Sequence, residues 1–239
     1  MRISLGGAWL RCAILFLSLS ANAGTPLQPH VAIYDVKIGF LSGTLRTELN
    51  MVDNQYHARS HITPTGISLL FGQGSIVQTS SFGMHHEGLQ PIRFTSDDSL
   101  TSQKEQVDLS FDWVQNKVTG LIGDIQFTTA LSSNTYDSVS LQYAFMHDLL
   151  NKSLLKSYLL QSAEELKELN ITIKEQQRVR VSFGDFMTTV IQHQSNNSDR
   201  ITTLWMAAEL GFIPIVIEQR RDGKIRLRAE LGSYSVTTP

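Results

Sequence analysis

The stretch IPIVIEQRRDGKIRLRAEL, Ile213 to Leu231, decides the fold class. Two runs rich in Ile, Val and Leu flank Arg220-Arg221-Asp222-Gly223. Asp-Gly between alternating runs marks a two-residue type I′ turn, whose central residues take positive φ. The stretch is therefore predicted to be a β-hairpin. In its second arm Ile225, Leu227, Ala229 and Leu231 recur at every second position, the period at which strand side chains share one face, so all four are expected to face a core.

The same signature extends back to Val31. VAIYDVKIGF alternates Ile33, Asp35 and Lys37 against Tyr34, Val36 and Ile38, and NQYHARSHI alternates likewise before the turn Thr63-Pro64-Thr65-Gly66. VDLSFDW places Val107, Leu109, Phe111 and Trp113 on one side and Asp108, Ser110 and Asp112 on the other. Short period-two runs rich in Val, Ile, Thr and aromatics, punctuated by Gly, Asn, Asp and Pro, read as an antiparallel sheet with one buried face. The period changes once. Behind the capping residue types Asp137-Ser138, Leu141, Phe145 and Leu149 and then Tyr143, Met146 and Leu150 recur at helical spacing. Ser162 and Glu165 have the spacing of a capping box, while the residues just beyond favour strand, so Ala163–Leu169 stays open between the two. The expectation is a mainly β (α+β) domain of about ten strands and one or two helices.

Arg2 and Arg11 precede the apolar run Cys12 to Leu19, which is followed by Ala21-Asn22-Ala23. That order predicts a secretory signal peptide, residues 1–23, cleaved after Ala23, and a single β-rich domain over 24–239. The apolar run is too short to span a bilayer, which takes roughly 20 residues. Cys12 opens the run instead of following it, so no lipid anchor is expected. It is also the only cysteine, so its loss with the signal leaves no thiolate nucleophile and no Cys-based metal site. Two arginines leave too, taking the formal charge from −2 to −4, which argues against nucleic-acid binding.

Chemistry is sparsely advertised. In SFGMHHEGLQPIRF, residues 81–94, His85, His86 and Glu87 are adjacent. Neighbours in a strand point to opposite faces, so His85 and His86 reach one ion only from a loop. His57 and His61, four apart in an apparent strand, stand roughly 13 Å from each other, whereas zinc ligands lie about 2.0–2.3 Å from the metal. The stretch therefore reads as a strand meeting a turn before Pro91, and Gly66, Pro91, Asp222 and Gly223 are read as turn residues. No Gly-x-Ser-x-Gly signals a hydrolase, and no cofactor is expected. The apolar stripes suggest more, because one or two helices give little cover to the concave side of such a sheet. A hollow left there would bind an apolar ligand, with Trp113, Trp205, Phe212, Ile215 and Ile217 as candidate contacts.

Four blocks carry a family likeness: Tyr34 to Gly43, SSFGMHHEGLQPIRF, SFGDF (Ser182 to Phe186) and the ending LWMAAELGFIPIVIEQRRDGKIRLRAEL. Together they resemble a family of exported bacterial proteins known only as domain of unknown function 3108. The recurrent element there is Gly88-Leu89-Gln90-Pro91 and not the histidines, and no catalytic residue comes with the resemblance. It implies a single curved antiparallel sheet, or half-barrel, wrapping its helix like the periplasmic lipoprotein carriers. The combined expectation is a non-catalytic periplasmic protein that binds an apolar or lipid-bearing ligand in the concave face. The alternatives are an envelope interaction or structural protein that docks a partner, and third a hydrolase. A cleft of about 300 Å³ or more separates the first from the second.

Overall fold

The computed structural model describes residues 24–70, 73–86, 88–101, 105–163 and 165–237. The expected signal peptide, 1–23, and Glu87 lie outside them. One sheet of fifteen strands accounts for most of the chain. Its first half is an uninterrupted meander: β1 (His30–Ile38), β2 (Leu41–Val52), β3 (Gln55–Pro64), β4 (Ile76–His85), β5 (Gly88–Asp98), β6 (Gln106–Asp112), β7 (Lys117–Ile122) and β8 (Ile125–Ala130). The second half is β9 (Thr135–Tyr136), helix α1 (Ser140–Leu150), β10 (Ser157–Ser162), β11 (Glu165–Val181), β12 (Gly184–Ser195), β13 (Arg200–Ala207), β14 (Ile213–Arg221) and β15 (Lys224–Val236). The halves meet where β1 pairs with β15, so the first and last strands lie at the centre and β8 and β9 at the two edges.

Every pair is antiparallel except β9 with β10. Parallel neighbours need a crossover, and α1 is that crossover. It is held over one face of the sheet, which curls around it until β9 comes against β5. Tyr143 of α1 packs on His30 and Phe82 from one half, and Phe145 packs on Tyr158 and His193 from the other. The hollow is filled along most of its length: Tyr34, Phe82, Leu109, Ile191, Met206, Ile215 and Leu231 are fully buried with the two helix aromatics. Each such side chain contributes roughly 1.5–3 kcal/mol.

The hairpin expected over Ile213 to Leu231 is present. Asp222 and Gly223 have φ of 51° and 71°, the signs a type I′ turn requires, and Arg221 pairs with Lys224 across it. Asp137 starts the helix as expected: its Oδ1 accepts from the backbone N–H of Val139 and of Ser140.

Other expectations need correction. The strands number fifteen among the described residues and not about ten, and β11 runs for 17 residues with one bulge between Lys174 and Gln177. A single α-helix forms among the described residues. Over 163–169, Ala163 sits in a turn at φ 48° and the residues from Glu165 belong to β11, whose ladders with β10 and β12 override the local leaning toward helix. Pro91 is not at a turn. It stands inside β5 opposite Phe82, at a bulge, where its missing N–H is tolerated. Ile225 is 46% exposed, because β15 runs past the end of its neighbour β1.

Candidate functional site

The filling of the barrel stops short at one end and leaves a cavity of about 670 Å³. Its walls are mostly apolar: Leu27, Met51, Met84, Met146, Leu150 and Leu210, with Tyr56 and Tyr234 at the margins. Methionine side chains are unbranched and polarisable, so a wall with three of them adapts to the shape of what it holds. Across the mouth runs 24–29, a segment that Pro26 and Pro29 keep from extending β1 as a ladder. It is tied down at three places. Thr25 exchanges hydrogen bonds with the Asn151 side chain at the end of α1, donating from its N–H at 2.7 Å and accepting at its carbonyl at 3.2 Å. The Tyr56 hydroxyl donates to the carbonyl of Leu27 (3.1 Å), and the Thr237 N–H donates to that of Pro29 (3.0 Å). Leu27 is thereby pressed into the core at 2% exposure.

One polar group in this wall is unusual. His30 is buried, and its Nδ1 lies 2.8 Å from the Gln28 carbonyl, which can only accept, so the ring proton sits on Nδ1. Burial lowers the pKa of the ring, favouring the neutral form. Nε2 is therefore a lone-pair acceptor, and it has no hydrogen-bond partner among the described residues. An unsatisfied buried acceptor costs about 1–3 kcal/mol.

The opposite end of the barrel holds a polar cleft of about 550 Å³ floored by His193, Thr202 and Gln219. Its rim charges largely offset each other, as in Arg221 with Asp199 (3.3 Å) and Lys167 with Glu165 (2.8 Å). Between the two ends, Tyr158 donates to Asp148 Oδ2 at 2.6 Å, and the His147 ring meets Oδ1 of the same carboxylate at 2.9 Å. Asp137 is fully buried and accepts from the hydroxyls of Ser80 and Ser140; burial pushes its pKa up, and these hydrogen bonds pull against that. Both networks join the helix to the sheet. Among the described residues no three His, Cys, Asp or Glu side chains converge as a metal site would require. His85 ends β4 and His86 occupies the turn into β5.

The residues singled out in the sequence are dispersed. Trp113 is half-buried beside a small 200 Å³ cavity near the seam of the barrel, its indole N–H donating to the Pro91 carbonyl at 2.7 Å. Trp205 is half-buried and donates to Gln177 Oε1 at 2.9 Å. Ile215 is fully buried, Ile217 partly so, and Phe212 follows Gly211 in a left-handed turn at φ 60°. None of the five lines the 670 Å³ cavity, although Gly211 next to Phe212 does. Sequence reasoning missed Leu27, His30 and the three methionines. Only the paired prolines Pro26 and Pro29, directly after the expected cleavage point, hinted at a segment that is ordered without being a strand.

A single, almost entirely antiparallel sheet rolled around one helix, with an apolar cavity at one mouth, defines a barrel-like β protein. The chain belongs to the family described as protein of unknown function DUF3108, which matches residues 31–230. No curated protein matches it. Among solved structures it is similar to the crystal structure of a β-barrel-like protein of domain of unknown function DUF1849 from Brucella abortus. The two share 13% identity with a TM-score of 0.59, covering 90% of this chain and 100% of that one. A likeness at that identity speaks for the fold.

Proposed function

We propose that the protein is an exported, non-catalytic component of the periplasm that holds an apolar or lipid-bearing ligand in the cavity at the barrel mouth. The observation that carries this reading is the 670 Å³ space walled by apolar side chains at one end of a barrel filled along most of its length. That volume lies within the range of small-molecule sites, about 300–1,000 Å³. An alkyl or acyl chain held there gains from burial, up to roughly 0.8 kcal/mol per methylene.

Calorimetric titration of the delipidated protein with alkyl amphiphiles of increasing chain length, each below its micelle concentration, tests the proposal. Affinity is expected to rise with chain length and then level off once the cavity is full. Absence of saturable binding at every length would sink it and favour the second reading, docking of an envelope protein. That alternative has its own support in β8, an edge strand with no charged residue and no proline.

A further inference from the structure

The barrel end opposite the apolar cavity presents an inverted surface. There the β1–β2 turn at Gly39 and Phe40 meets the 3-10 turn Gly66–Leu70, which is fastened to the start of β2. The Thr65 N–H donates to the Ser42 carbonyl (3.0 Å), and the Ser42 N–H donates to Ser68 Oγ (2.7 Å). Ser68 is 4% exposed, whereas Ile67, Leu69 and Leu70 around it are 66%, 50% and 84% exposed. A turn shaped by water alone would bury the leucines and present the serine. Ile38 and Phe40 beside it are 46% and 73% exposed. Large apolar side chains gathered at one tip mark a binding surface and not random surface composition.

The charge beside this tip indicates the kind of partner. Lys37 pairs with Arg228, so the β14–β15 hairpin projects past the end of β1 at the same end of the barrel. Its tip bears Arg220, Arg221, Lys224 and Arg226 against the single acid Asp222, on a chain whose formal charge is −2. Arg221 is engaged by Asp199, whereas Lys224 and Arg226 form no ion pair among the described residues. Exposed leucines flanked by free cations match a lipid interface, where apolar side chains enter the headgroup boundary and basic ones rest on anionic headgroups.

We propose that this end of the barrel docks on an anionic lipid bilayer, with Ile67, Leu69 and Leu70 inserted and Lys224 and Arg226 on the headgroups. The apolar cavity faces the other way, so docking leaves its mouth free, and this inference does not depend on what the cavity holds. The test is co-sedimentation of the protein, in the form cells accumulate, with vesicles of phosphatidylethanolamine alone or mixed with phosphatidylglycerol.

Binding is expected to the mixed vesicles and to weaken with salt. Lys224→Gln and Arg226→Gln should each reduce partitioning about fivefold. Leu69→Ser with Leu70→Ser should reduce it by on the order of tenfold or more. All four side chains are exposed, so melting temperatures should stay at the wild-type value. No vesicle binding, or binding that these variants leave unchanged, overturns the proposal. So would variants that lose capture of an envelope protein while vesicle binding is absent, since that outcome assigns the tip to a protein partner.

Discussion

Tyr158 of β10 donates its hydroxyl hydrogen to Asp148 Oδ2 of α1 at 2.6 Å, and the same oxygen of Tyr158 accepts the backbone N–H of Leu155 at 3.1 Å. One phenol thus fixes both the helix and the loop that leaves it. Tyr158→Phe keeps the ring, with its edge-on contact to Phe145, and removes only these bonds. A buried hydrogen bond to a charged group contributes about 1.5–3 kcal/mol, and chemical denaturation should show a loss in that range. An unchanged midpoint would mean that Asp148 finds another donor.

The pH dependence of stability should carry a histidine signature. Burial pushes the pKa of His193 down to about 4 from 6.5, and that of His30 moves in the same direction. A folded pKa below the unfolded one means that the unfolded chain takes up the proton first as the pH falls. The contribution is therefore complete above pH 6.5 and is lost as the pH falls toward 4. For His193 it amounts to at most about 3 kcal/mol. Melting temperatures measured between pH 7 and pH 4 should fall more steeply for the wild type than for His193→Gln, which retains the smaller slope from His30. Parallel curves would show that His193 titrates normally.

At the β14–β15 turn, Gly223 sits at φ 71°. Gly223→Val forces a branched side chain into left-handed backbone and should cost about 1–2 kcal/mol or more, whereas Gly223→Asn should be nearly neutral because Asn accepts that conformation. Thermal melts of the two variants make the comparison, and equal values would show that the turn relaxes to another type.

Local signals made the periodic elements legible. Asp222-Gly223 announced its hairpin, Leu109 and Phe111 their buried face, and the spacing of Leu141, Phe145 and Leu149 the helix. The middle of β11 is the least legible part of the sheet, because Lys174, Glu175, Gln176, Gln177 and Arg178 are all exposed and of types that lean toward helix. Ile215, expected as a ligand contact, is packed into the core instead, since hydrophobic density records what is packed. The cavity is a place where packing stops. Leu27, Met51, Met84, Met146 and Tyr234 come from five separate segments, and only closure of the barrel gives them a common wall.

The pairing of β1 with β15 at the centre of the sheet has a kinetic consequence. His30 pairs with Val236 and Lys37 with Arg228, so the ladder that joins the two halves is also the one of greatest sequence separation. The meander from β1 to β8 can zip from neighbour to neighbour, but the first strand has an open side until the last one arrives. High contact order of this sort slows folding and prolongs the lifetime of exposed strand edges. A nascent chain lacking β15 consequently carries two half-sheets, each with an unpaired adhesive margin, β1 on one and β14 on the other, until the last strand arrives.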